Sequence, residues 1–167
     1  SALLVGSSNN GKTSLLKQFV KKHPPYDYNL EGERPDWVTD EFFDKYTGIG
    51  RPVIYIISPT EPSETRLYSI ILEQLNVPYK ARDTLDSKAN LVEYYLKALN
   101  VRVLIIDEIH NILNGSPARQ RQIMSAIRDM SSKLKMPVVL SGVKEALRAA
   151  NTEDQISSRY RPEYLTK

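Results

Sequence analysis

The chain has 167 residues, 41% of them hydrophobic, which suits one domain around a single core. Its 23 lysines and arginines against 20 acids leave a formal charge of +3, a balance that permits nucleic-acid contact without demanding it. The absence of cysteine and the presence of only two histidines exclude disulfides, thiolate metal sites and a cysteine nucleophile, so any bound ion is expected on oxygen ligands.

Ala2 to Val5 is a short apolar run expected as a buried strand. A strand opening at the second residue reads as a domain trimmed at its start, with Ser1 a cloning remnant. A loop of small polar residues follows, and then "KTSLLKQFVKK", where Leu15, Leu16, Phe19 and Val20 form one helical stripe. Residues 24–50, rich in proline and without an apolar period, read as an exposed insertion in which "VTDEFFDKY" is the only helical candidate. "PVIYIISP" (52–59) has the β-branched, two-faced apolarity of a buried parallel strand. Beyond it, "SETRLYSIILEQL" predicts a helix capped by Ser63 with Leu67, Ile70, Ile71 and Leu75 inward, and a second helix is expected from about Ser87, with Val92, Tyr95, Leu96 and Leu99 on one face. "VRVLIID" (101–107) is the next buried strand, and the helix from Ser116, with Pro117 at its first position, lines up Ile123, Ile127, Met130 and Leu134. "PVVLSG" (137–142) is a strand, "VKEALRAA" a short helix and "YRPEYL" a last edge strand. This alternation predicts an α/β fold of three layers, a parallel sheet covered by helices on both faces, with ligands at the carboxyl ends of its strands. No apolar run approaches the length of a membrane span and no leader is visible, so the protein is read as soluble and cytoplasmic.

Gly6 to Thr13 fits G-x-x-x-x-G-K-[ST] at every fixed position, between a predicted strand and a predicted helix. The two glycines free the backbone to turn its N–H groups around a phosphate, and the helix start adds its positive end. Ser8, Asn9, Asn10, Gly11, Lys12, Thr13 and Ser14 are therefore expected to contact ATP, with Lys12 on the β and γ oxygens and the Thr13 hydroxyl suited to Mg²⁺. The bland alternative is a small-residue turn that merely caps a helix. "VLIIDEIH" delivers Asp107 and Glu108 to the end of a central strand, Asp107 as the metal-side carboxylate and Glu108 as the base that polarises water; taken alone the pair reads as solvated acids opening a loop, and the phosphate loop about a hundred residues before it favours the functional reading. Ser141, ending "PVVLS", either orients that water or is an ordinary turn serine. Arg159 is a cation that could neutralise a neighbouring subunit's γ-phosphate, with Arg161 its rival and a surface ion pair the alternative for both.

With "GSSNNGKTS", "VLIIDEIHNIL", "PVVLSGVKEAL" and "DQISSRY" in this order, the chain resembles an AAA+ ATPase, and more narrowly the TniB/TnsC family of transposition regulators. The resemblance covers nearly the whole chain, making 1–167 an AAA+ P-loop core with 24–50 inserted and the C-terminal helical lid, with its second-sensor arginine, absent. It implies an ATPase, weak in isolation, that assembles head-to-tail into a ring or helical filament on double-stranded DNA. The implied partners are a target-selector protein and a DDE transposase. By motif position it makes Lys12 and Thr13 nucleotide and magnesium contacts, Asp107 and Glu108 the acidic pair, Ser141 the first sensor and Arg159 the arginine finger. The resemblance places DNA-facing loops after the second strand, which singles out Thr65 and Arg66; Lys80, Arg82, Arg66 and the cluster Lys17, Lys21 and Lys22 are candidate phosphate contacts, the alternative being ordinary solvated charge. A replication-initiator or helicase-loader ATPase would share these motifs, as would a nucleotide-holding scaffold, although a scaffold has no use for Glu108. A small-molecule kinase fits the acidic pair less well.

Overall fold

The computed structural model describes residues 1–7, 10–28, 48–143 and 161–164. Its elements in chain order are β1 (Ala2–Val5), α1 (Lys12–Lys22), β2 (Tyr26–Tyr28), β3 (Gly48–Gly50), β4 (Val53–Ile57), α2 (Glu64–Leu75), α3 (Leu85–Ala98), β5 (Val103–Asp107), a 3₁₀ helix (Ile109–Asn114), α4 (Pro117–Leu134), β6 (Val138–Gly142) and β7 (Arg161–Tyr164).

Five strands form one parallel sheet in the order β4-β5-β6-β1-β7. Parallel neighbours need crossovers, and the right-handed rule puts the connections that run from β4 towards β1 on one face and the reverse crossover, α1, on the other. Alternation along the strands matches. Leu3, Val5, Ile54, Ile56, Leu104, Ile106, Val138 and Leu140 join the main core with α2, α3 and α4. Val53 and Ile105 face the other way, against Leu16 of α1, with Leu4, Tyr55, Val103 and Val139 half-buried around them. The chain is thus three-layered, with α1 alone among the described helices on its side.

Local chemistry sets the helix boundaries. Ser63, Thr84 and Ser116 each accept a backbone hydrogen bond from the residue three along, and Pro117 sits at the first turn of α4. Because Thr84 is the cap, α3 starts at Leu85, ahead of the expected Ser87. Asn76 and Lys135 end α2 and α4 in the left-handed conformation.

One expectation needs correction. The α1 stripe is narrower than its periodicity implies: Leu16 is buried and Val20 half-buried, but Leu15 and Phe19 are 46% and 39% exposed, because a single helix over a sheet touches it along one line. The run 52–59 contains the expected parallel strand, buried at Val53, Ile54 and Ile56; it lies at the sheet's edge, and Ile57 is 53% exposed. The ends of the 24–50 insertion form a small second sheet: Tyr26–Tyr28 pairs antiparallel with Gly48–Gly50, and the Tyr26 hydroxyl accepts a hydrogen bond from the Asn100 amide. The helical candidates "VTDEFFDKY" and "VKEALRAA" lie outside the described residues, save Val143, which is in no element.

Candidate nucleotide site

β1 ends where the phosphate loop begins, and Gly11 closes that loop at φ +83°, a left-handed turn that glycine adopts without steric cost. The first bond of α1 runs from Leu15 N–H to Gly11 O, 2.9 Å, so the N–H groups of Lys12, Thr13 and Ser14 stand outside the helical ladder at the helix's positive end. Lys12 is buried, and its ammonium donates to Gly6 O (3.0 Å), Ser7 O (2.7 Å) and Asn10 Oδ1 (3.0 Å). All three of its protons are thus held over the loop, where phosphate oxygens can take them in place of carbonyls. A β-carbon at Gly6 would collide with the Asn10 amide, which lies over that glycine.

Asp107 closes β5, two strands from β1, and is 1% exposed. Despite the strand between, the Thr13 hydroxyl donates to Asp107 Oδ2 at 2.7 Å, because α1 leans across the ends of the sheet. Tyr55, on β4, donates to the same oxygen at 2.8 Å, and Glu108 N–H donates to Oδ1 at 2.9 Å. Ser141 is the penultimate residue of the intervening β6, fully buried; its Oγ has no hydrogen-bond partner, yet it lies near the carboxylate. Burial by itself would push the Asp107 carboxyl up. Thr13, Ser141, Tyr55 and the Glu108 N–H together outweigh it and hold the group below its ordinary value, ionised at neutral pH. Tyr55 responds in the opposite sense: burial first, and then the Asp107 hydrogen bond and charge, raise its phenol above the usual range.

Glu108 stands at φ 56°, ψ 40°, a left-handed conformation costing a side-chain-bearing residue about 1–2 kcal/mol. Asn76, Asn100 and Lys135, which share it, all follow helix ends; Glu108 alone among these turns the chain straight out of a strand. The turn leaves its carboxylate partly exposed beside Asp107, with Oε2 3.2 Å from His110 Nδ1. The corner is held by Ser58 N–H on Asp107 O (2.8 Å) and the Asn111 amide on Ser58 O (3.0 Å).

The structure therefore brings Asn10, Gly11, Lys12, Thr13, Asp107, Glu108 and Ser141 to one end of the sheet. Ser14 follows on the exposed first turn of α1. Ser8, Asn9 and Arg159 lie outside the described residues. Thr65 and Arg66 sit apart, in the first turn of α2, lining a groove of about 990 Å³ that also includes Tyr55, Ile57 and Arg119. Arg66 is engaged there by Glu73 at 3.0 Å, an acceptor it shares with the Tyr79 hydroxyl. Tyr55 and His110 escaped the sequence reading. The only signal for Tyr55 was one polar tip in the aliphatic run "VIYII".

Among the described residues no group of three or more acids or histidines forms a ready metal cage. One carboxylate and one hydroxyl, both hard oxygen donors, suit an ion such as Mg²⁺ that completes its shell with phosphate and water. No described helix is long and apolar enough to cross a membrane.

A family model described as "Bacterial TniB protein" matches residues 1–167. No curated protein sequence matches the chain significantly. Among solved structures, the Aeropyrum pernix ORC2 protein in its ADPNP-ADP complexes is similar at TM-score 0.66 and 19% identity, covering 98% of this chain and 41% of that one. The Aeropyrum pernix ORC1 protein in complex with DNA is similar at TM-score 0.60 and 15% identity, covering 99% and 38%. Cdc6p from Pyrobaculum aerophilum follows at 0.53 and 18%, covering 96% and 38%. The chain spans about two fifths of the length of these structures, and the likeness establishes the P-loop AAA+ fold.

Proposed function

The chain belongs to the TniB family, and from that premise we propose that it is an ATP-binding and ATP-hydrolysing regulator of DNA transposition. In this reading it assembles head-to-tail on double-stranded DNA and links a target-selector protein to a DDE transposase. The observation that carries the enzymatic part is the 2.7 Å hydrogen bond from Thr13 to Asp107, which ties the phosphate loop to the acidic end of β5.

Lys12, with the N–H groups at the start of α1, binds the β and γ phosphates. Thr13 and Asp107 would hold Mg²⁺, which would supply positive charge to neutralise that developing on the transferred phosphoryl group. Glu108, turned out of the strand beside Asp107, orients a water and takes its proton. Ser141, whose hydroxyl has no protein partner, is free to hold that water or a phosphate oxygen. Arg159 from an adjacent subunit is proposed as the finger, so a lone subunit turns over slowly, by a factor of roughly 10³ or more. Thr65 and Arg66 are proposed to meet DNA; for Arg66 this means exchanging Glu73 for a phosphate. The similar ORC1 structure, solved with DNA, supports DNA contact as a use of this fold. The initiator reading shares that support, but identities of 15% and 19% carry the fold alone.

The test is ATP turnover per subunit at rising protein concentration, with and without duplex DNA, in wild type and Glu108→Gln. Turnover should climb with concentration and DNA, and E108Q should bind ATP yet lose at least about a hundredfold in rate. A flat rate per subunit removes the assembly claim; unchanged turnover in E108Q removes the base.

A further inference from the structure

We propose that Tyr55 is a positioning residue for the nucleotide's metal site: its hydroxyl fixes the orientation of the Asp107 carboxylate from the strand side, independently of the phosphate loop. The inference rests on the reading of Asp107 as the magnesium-side carboxylate.

Two hydroxyls converge on one oxygen. Thr13 Oγ1 and Tyr55 Oη both donate to Asp107 Oδ2, at 2.7 and 2.8 Å. A carboxylate oxygen offers two lone-pair sites, so these two donors fill Oδ2, whereas Oδ1 takes the 2.9 Å bond from Glu108 N–H and keeps one site, the nearby Ser141 hydroxyl making no hydrogen bond to the group. The carboxylate is therefore made one-sided. Oδ1 is the oxygen left to meet a metal ion's water shell, and rotating the group would break two hydrogen bonds at once.

The two donors differ in where they are anchored. Thr13 belongs to the phosphate-binding loop and helix, the part that must rearrange when Lys12 releases Gly6 O and Ser7 O to a nucleotide. Tyr55 belongs to β4, paired in register with β5 so that Tyr55 lies opposite Ile105 and Ile57 opposite Asp107. It holds the carboxylate to the sheet while the loop changes partners. Packing gives no reason for the hydroxyl. Its neighbours on that face, Val53, Ile105 and Leu16, are aliphatic, and a phenylalanine ring would fill the same space. What that oxygen finds at this position is Asp107, its hydrogen-bond acceptor, with the Thr13 hydroxyl beside it.

Tyr55→Phe removes one oxygen and keeps the ring. The measurement is binding of a fluorescent ATP analogue during a Mg²⁺ titration, alongside its affinity in EDTA and the melting temperature. The variant should bind the analogue in EDTA as wild type does, yet need several-fold to about tenfold more Mg²⁺ for half-saturation, the scale of one ordinary net hydrogen bond. In an Asp107→Asn background the same substitution should leave the Mg²⁺ midpoint unmoved. A Mg²⁺ midpoint equal to wild type, or equal losses with Mg²⁺ and with EDTA, overturns the inference and leaves Asp107's own role standing. Nucleotide binding by wild type that ignores Mg²⁺ overturns the site reading itself, and this inference with it. Should Y55F not fold, ¹³Cζ-tyrosine NMR of the wild-type protein serves instead, with the Tyr55 resonance identified by its displacement in D107N. That resonance should move in step with Mg²⁺ saturation; one that stays still overturns the inference.

Discussion

Removing the charge of Asp107 in the nucleotide-free protein sets two large effects against each other. A buried carboxylate suffers from desolvation, and neutralising such a group can stabilise a protein. Here the balance falls the other way, because hydrogen bonds from Thr13, Tyr55 and the Glu108 N–H, with the Ser141 hydroxyl close by, hold the Asp107 carboxyl below its ordinary value in spite of its burial. Asp107→Ala strands the Thr13 hydroxyl, the Tyr55 hydroxyl and the Glu108 N–H, each bonded to the carboxylate at 2.7–2.9 Å. Leaving a buried donor unpaired costs about 1–3 kcal/mol, and discounting for the half-exposed Thr13 and Tyr55 gives a loss of about 3–5 kcal/mol. Asp107→Asn keeps one carbonyl oxygen for the two hydroxyls but turns its NH₂ towards the Glu108 N–H, so one donor is lost and the expected cost is about 1–3 kcal/mol. For a chain of this size 1 kcal/mol moves the melting temperature by about 2–4 °C. The assay is thermal unfolding by circular dichroism in EDTA, from pH 3 to 8. Because the folded-state value is depressed, the wild-type advantage is complete above the unfolded value of about 3.9 and fades as pH falls through the lower folded value. The melting curves should therefore rank wild type, D107N, D107A near neutrality and converge in acid. An asparagine variant that melts at or above wild type at pH 7 would refute the reasoning, since desolvation would then outweigh the donors.

Lys12→Ala removes the buried ammonium and should abolish detectable binding of a fluorescent ATP analogue while the protein stays folded by circular dichroism; retained affinity would show that the loop is not the phosphate site. Lys88 is buried with only the Ser69 hydroxyl (3.3 Å) and the Tyr79 ring (4.7 Å from its centroid) recorded around its ammonium, so Lys88→Met should be neutral or stabilising in urea denaturation. Ile127, fully buried where α4 meets the sheet, should cost about 2–5 kcal/mol as alanine, read from the same denaturation midpoint at constant m.

The layering of the fold was legible because each element carries its own period and punctuation. Ser63 and Ser116 announce helix starts, Pro117 confirms one, and "VLIID" can be little other than a buried strand. The phosphate loop was legible for the same reason, since its spacing is a backbone requirement written in glycines. What the sequence hid is lateral. Nothing in "PVIYIISP" says that its strand lies at the edge of the sheet, because apolarity reports burial of side chains and not the pairing of the backbone. Tyr55 was invisible as a partner of Asp107 because the two are 52 positions apart and meet only once β4 and β5 are in register. His110 likewise reaches Glu108 only through a left-handed backbone turn, which no residue type at position 108 advertises.

β6 separates the strand that carries the phosphate loop from the strand that carries the acids. At about 4.8 Å per strand, that interposition opens a gap of roughly 10 Å between the two strand axes, with Ser141 on its floor. Were the strands adjacent, Thr13 and Asp107 would crowd the space in which a water has to approach the terminal phosphate. β6 thus works as a feeler gauge, setting the clearance of the reaction chamber. A one-residue slip of this strand would leave that clearance as it is but turn the side chain of Ser141 to the opposite face of the sheet, off the chamber floor.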